Sequence, residues 1–105
     1  MNSIKKQRIL TVEDSRAVRR IIADCINKNG YQSLEAENGQ KALDILDGER
    51  VDLILLDITM PVMDGTTTLK LLRQQGNNTP VILLTSITDT AIVTECIKLG
   101  ISDYL

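Results

Sequence analysis

The stretch Val51-Asp52-Leu53-Ile54-Leu55-Leu56-Asp57 is apolar without a break after Asp52 and then stops on an acid. A strand with one wet face alternates apolar and polar residues. An unbroken apolar run, too short for a helix, reads instead as a strand buried on both faces, the kind found in parallel sheets covered by helices. Val51 to Leu56 is therefore assigned as a strand. Val81 to Leu84, opened by Thr79-Pro80, repeats the pattern. Ile9-Leu10-Thr11-Val12 is a third run, rich in β-branched residues and ending at Glu13 and Asp14.

The segments between these runs have helical spacing. Ser15 can cap a helix by accepting from the free N–H groups of its first turn. Val18, Ile21, Ile22, Cys25 and Ile26 then form one expected buried stripe, stopped by Asn29-Gly30. Tyr31 to Ala36 is a weaker strand, and Asn38-Gly39 turns the chain into a short helix marked by Ala42, Leu43 and Leu46. Asp57 to Gly65 reads as a loop, with Pro61 and Asp64-Gly65 as turn signals. Thr68 to Gln75 and Ala91 to Leu99 are further helices, and Ser102 to Leu105 opens a fifth strand. Strands alternating strictly with helices predict an α/β, doubly wound parallel sheet. With five strands, the flavodoxin-like order 2-1-3-4-5 is expected.

Composition narrows the function. The chain has 105 residues, 43% hydrophobic and 25% charged, which is the balance of one globular domain, taken as residues 1–105. Its net charge of −2 supplies no basic surface for nucleic acid. No apolar run reaches membrane-spanning length and no signal peptide is apparent, so a cytoplasmic location is expected. There is no His, which excludes His triads and His-ligated zinc. Cys25 and Cys96 form no CxxC pair and are read as core residues on helices of opposite faces.

In an open parallel sheet, ligands bind beyond the carboxyl ends of the strands where the strand order reverses, here between strands 1 and 3. Those ends carry Glu13, Asp14 and Asp57. Neighbouring strands are about 4.8 Å apart, so the three carboxylates converge. Crowded acids repel, and at least one takes a raised pKa unless a cation neutralises them. Mg²⁺ suits such a site, being hard and content with carboxylates, waters and phosphate oxygens. Asp57 ends an apolar strand, and a carboxylate can act as a nucleophile toward phosphorus, forming an acyl phosphate. Phosphoryl transfer depends on positioning and cationic charge more than on proton chemistry, so the lack of His is no obstacle. Thr85 and Ser86, at the end of strand 4, offer hydroxyls to a phosphoryl oxygen, or serve as helix caps.

These residues carry a resemblance. Glu13-Asp14 after strand 1, the run Asp57-Ile58-Thr59-Met60-Pro61-Val62-Met63-Asp64-Gly65, Thr85 after strand 4, and Gly100-Ile101-Ser102-Asp103-Tyr104 together resemble the receiver domain of bacterial two-component response regulators. The resemblance covers the whole chain in order. It implies that Asp57 accepts a phosphoryl group from a sensor histidine kinase or a phosphotransfer protein. It also implies that Asp14, Asp57 and the backbone carbonyl of Thr59 bind Mg²⁺, with Glu13 acting largely through water. Thr85 would swing toward the phosphoryl group, and Tyr104 would turn inward behind it to change the domain's surface. Any catalysis would be limited to the domain's own phosphorylation and dephosphorylation.

The family places a Lys that contacts the phosphoryl group just past strand 5, and then a fifth helix. This chain stops at Leu105, within strand 5, and Lys98 does not match that position. The natural protein is therefore expected to continue. A receiver-like interaction module that no longer signals by phosphate is the alternative. A phosphatase of the haloacid-dehalogenase type is disfavoured because Asp57-Ile58-Thr59 lacks that group's second Asp. Flavodoxin is disfavoured because Glu13-Asp14 would repel a phosphate. Without a fifth helix, apolar side chains of strands 3 and 4 are expected to face water. At roughly 25 cal/mol per Å², about 200 Å² left bare forfeits some 5 kcal/mol. The chain alone is thus expected to be marginal or to self-associate.

Overall fold

A computed structural model describes residues 6–57 and 65–84. The elements in chain order are β1 (Arg8–Val12), α1 (Arg16–Lys28), β2 (Gln32–Ala36), α2 (Gly39–Gly48), β3 (Leu53–Asp57), α3 (Gly65–Gln74) and β4 (Val81–Leu84). All strand pairs are parallel, in the order β2-β1-β3-β4. The expected fifth strand, the helix Ala91–Leu99 and Cys96 lie outside the described residues.

Side chains of the central strands point alternately to two layers. Leu10, Val12, Ile54 and Leu56 pack with Ala42 and Leu43 of α2 and Leu72 of α3. Ile9, Leu53 and Leu55 pack with Ile22 and Ile26 of α1. A right-handed crossover from β1 to β2 runs one way along the sheet, and those from β2 to β3 and β3 to β4 run the other. That reversal puts α1 on one face and α2 and α3 on the opposite one. β2 is an edge strand, and its polar sequence, Gln32-Ser33-Leu34-Glu35-Ala36, suits that place.

Caps set the helix ends. The Ser15 hydroxyl accepts from the Val18 N–H at 3.3 Å, and the Asn38 side chain accepts from the Lys41 N–H at 2.9 Å. At the end of α1, the Tyr31 N–H bonds the Ile26 carbonyl at 3.2 Å and the Gly30 N–H bonds that of Asn27 at 3.1 Å. This paired closure requires a left-handed residue, and Gly30 has φ +86°. A Cβ at Gly30 would meet nothing within 4 Å. Gly30→Ala is therefore expected to destabilise by about 1 kcal/mol through backbone conformation alone. Urea unfolding measures it, and an unchanged midpoint would contradict the assignment.

Several sequence expectations shift. Ile21, placed in the buried stripe, is 47% exposed, while Ala23 is buried in its stead. Ile21 is adjacent to Ile22 in sequence, and a 100° step per residue carries it past the edge of the stripe. The second strand starts at Gln32 rather than Tyr31, because the Tyr31 N–H is used in closing α1. Asp57 is the last residue of β3 rather than the first of a loop, and α3 starts at Gly65 rather than Thr68. The exposure expected on the α1 face does not occur on β3: Leu53 and Leu55 are fully buried with Ile22 and Ile26, and Ile82 of β4 is half-buried. Among the described residues, no helix is long and apolar enough to cross a membrane.

Candidate functional site

The sheet register aligns the acids. Val12 pairs with Leu56, so the next residues along these parallel neighbours are Glu13 and Asp57. The Glu13 N–H continues the ladder to β2, bonding the Ala36 carbonyl at 3.0 Å. Asp57 is itself held in the ladder, paired with Leu84 of β4. Asp14 follows in the turn before α1 and is exposed, whereas Glu13 and Asp57 are buried. One oxygen from each of Glu13, Asp14 and Asp57 lies within 4.8 Å of the other two. The convergence expected from strand spacing is thus present.

The cluster is electrostatically crowded. Burial raises the Glu13 carboxyl from 4.5 to about 7, reinforced by a hydrogen bond with Asp14 and by the charge and hydrogen bond of Asp57. The Ser15 N–H, donating to Glu13 Oε2 at 3.1 Å, works in the opposite direction. Of the three acids, Glu13 takes the raised pKa, chiefly through its burial and only secondarily through the charge of Asp57. A donor set made only of carboxylate oxygens fits a hard divalent cation, which would take the place of the Glu13 proton and offset the charge of the cluster.

Arg19 is a contributor that sequence reasoning missed. Its Nη1 donates to the Glu13 carbonyl at 2.8 Å and to the Asp14 carbonyl at 3.3 Å. Its Nε faces Glu35 Oε1 of β2 at 3.4 Å. Arg16, Arg19 and Arg20 stand close together in the sequence, and only the place of Arg19 beside Val18 and Ile22, at the margin of the apolar stripe, distinguishes it. Thr59, Thr85, Ser86 and Tyr104, with Met60, Pro61, Met63 and Asp64, lie outside the described residues.

Comparison with known proteins agrees with this geometry. The model of the response regulator receiver domain matches residues 9–105. Sporulation initiation phosphotransferase F of Bacillus subtilis is 39% identical over 94 residues, covering 90% of this chain and 76% of that protein. Response regulator MprA of Mycolicibacterium vanbaalenii is 36% identical over 98 residues, and the match spans 93% of this chain but only 42% of that protein. Among solved structures, the N-terminal domain of a response regulator/sensory box/GGDEF three-domain protein from Carboxydothermus hydrogenoformans superposes with a TM-score of 0.81 at 30% identity. That match covers 93% of this chain and 96% of that one. A family match across nearly the whole chain, a parallel sheet in the right order and three acids at its switch point have one common account: the chain belongs to the response regulator receiver domain family, the signalling module of phosphorelays.

Proposed function

We propose that this domain accepts a phosphoryl group on Asp57, using Mg²⁺ held by Glu13, Asp14 and Asp57, from a sensor histidine kinase or a phosphotransfer protein. The observation that carries the reading is the meeting of three carboxylates at the carboxyl ends of β1 and β3. Asp57 is the acid suited to be the nucleophile. It is anchored as the last residue of a fully buried strand, so its carboxylate is held in place rather than swinging on a loop. One of its oxygens attacks the phosphorus of a phosphohistidine. The P–O bond forms as the P–N bond breaks, and the leaving imidazole keeps the electron pair and takes up a proton.

Asp14, exposed beside it, is open to a donor and a hydrated cation. Glu13, buried and hydrogen bonded by the Ser15 N–H, anchors the inner side of the cluster. Mg²⁺ bound there supplies positive charge against the phosphoryl oxygens. Thr59, by its carbonyl, is proposed to complete the metal ligands. Thr85 and Ser86 are proposed to meet the phosphoryl group and Tyr104 to report it to the surface. The domain is cytoplasmic in this reading and acts as a switch rather than as an enzyme with a free substrate.

Incubation with acetyl phosphate and Mg²⁺, followed by mass spectrometric mapping, tests the assignment. One adduct on Asp57 is expected. An adduct on Asp14, or labelling that proceeds equally well in EDTA, would overturn it.

A further inference from the structure

We propose that Arg19 is a positioning residue for the acid cluster: its guanidinium ties the turn that carries Glu13 and Asp14 to α1 and β2, fixing where both carboxylates point. The backbone geometry makes the case. The turn between β1 and α1 consists of Glu13, Asp14 and the capping Ser15, and two of its carbonyls accept from a single nitrogen of Arg19. Pinning consecutive carbonyls fixes the peptide planes between them, and the plane orientation sets the direction of the side chains. Arg19 is itself held. Its side chain is 14% exposed, and Glu35 Oε1 on β2 lies 3.4 Å from its Nε. β2 in turn pairs with β1 directly below the turn, with Thr11 opposite Glu35 and Val12 opposite Ala36. Helix, edge strand and acidic turn are thereby locked through one planar fork, a geometry that a lysine ammonium does not reproduce.

Charge and position make opposite predictions here, so the role is separable. A cation beside two acids repels Mg²⁺, and loss of its charge alone strengthens Mg²⁺ binding. Loss of positioning weakens it, because ligands must then be ordered on binding. Outer residues that orient metal ligands typically contribute about 10- to 100-fold in affinity. That role presupposes Mg²⁺ at the acid cluster.

The test is calorimetric titration of Mg²⁺ into the full chain and into Arg19→Gln and Arg19→Lys, with thermal melts of each in EDTA. Mg²⁺ binding about 10-fold weaker in Arg19→Gln is expected, against the sign of the charge change. Arg19→Lys, which keeps the charge and loses the fork, is expected to be weakened as well, and it carries the test should Arg19→Gln not fold. Unchanged or tighter Mg²⁺ binding in a folded variant, with only the melting temperature lowered, overturns the positioning role and leaves the Mg²⁺ site standing. Absence of Mg²⁺ binding by the unsubstituted chain overturns both.

Discussion

Asp57→Asn is expected to abolish phosphoryl incorporation from acetyl phosphate while making the metal-free domain more stable. The first effect is chemical. A carboxylate oxygen carries the charge and lone pair that attack phosphorus; the amide has nearly the same shape, but its oxygen is a poor nucleophile and an acyl phosphate cannot form on it. The second effect is electrostatic. Asp57 is buried against Glu13, and its charge is one of the causes that push the Glu13 carboxyl up to about 7. Removing that charge relieves repulsion in the cluster, so the variant should melt higher than the unsubstituted chain in EDTA and gain less from Mg²⁺. Asp14→Asn should shift both in the same directions, since Asp14 is the third carboxylate crowded into the same 4.8 Å cluster. Residual labelling of Asp57→Asn at the unsubstituted rate would remove Asp57 as acceptor. A lower metal-free melting temperature would show that Asp57 is mainly a structural anchor.

The fold was legible wherever a residue's environment follows from its neighbours in the chain. The run Leu53 to Leu56 announces burial on both faces because no polar residue interrupts it, and all five residues of β3 are indeed buried. The capping of α1 by Ser15 and its closure at Gly30 follow from side-chain and backbone chemistry within one turn. The meeting of Glu13, Asp14 and Asp57 was legible for a different reason: parallel pairing leaves strand ends side by side, whatever the loops do. Features that depend on angles accumulated along a helix were harder. Ile21 falls outside the buried stripe by one residue's rotation, and Arg19 falls just inside reach of the acidic turn. That the α1 side of β3 is covered, with Leu53 and Leu55 packed on Ile22 and Ile26, depends on where the helix lies over the sheet, which spacing alone does not give. Which acid takes the raised pKa was equally hidden, since it depends on burial and on the Ser15 and Asp14 contacts of Glu13.

In EDTA, stability is expected to fall as pH rises from about 5 to 8, and Mg²⁺ is expected to cancel most of that fall. The sign follows from Glu13. Its carboxyl is at about 7 in the folded chain against an ordinary 4.5, so between those values the folded state holds a proton that the unfolded state has released. Stability declines with pH wherever the native state binds more protons. The penalty is absent below 4.5, grows through the interval and is complete above about 7. At about 1.4 kcal/mol for each pH step, it is on the order of 3 kcal/mol, a large share of the ~5–15 kcal/mol net stability of a small domain. A divalent cation stabilises the ionised cluster and displaces the proton, so Mg²⁺ should raise the melting temperature strongly at pH 8 and weakly at pH 5. Binding at pH 6 should release close to one proton, measurable as a buffer-dependent heat. Glu13→Gln isolates the contribution, because it keeps the shape and removes the titration. The unsubstituted chain should lose stability relative to Glu13→Gln across pH 5 to 8 in EDTA. A gap that stays constant with pH would mean that Glu13 is ionised throughout, and the proton held among the three acids would have to be assigned elsewhere.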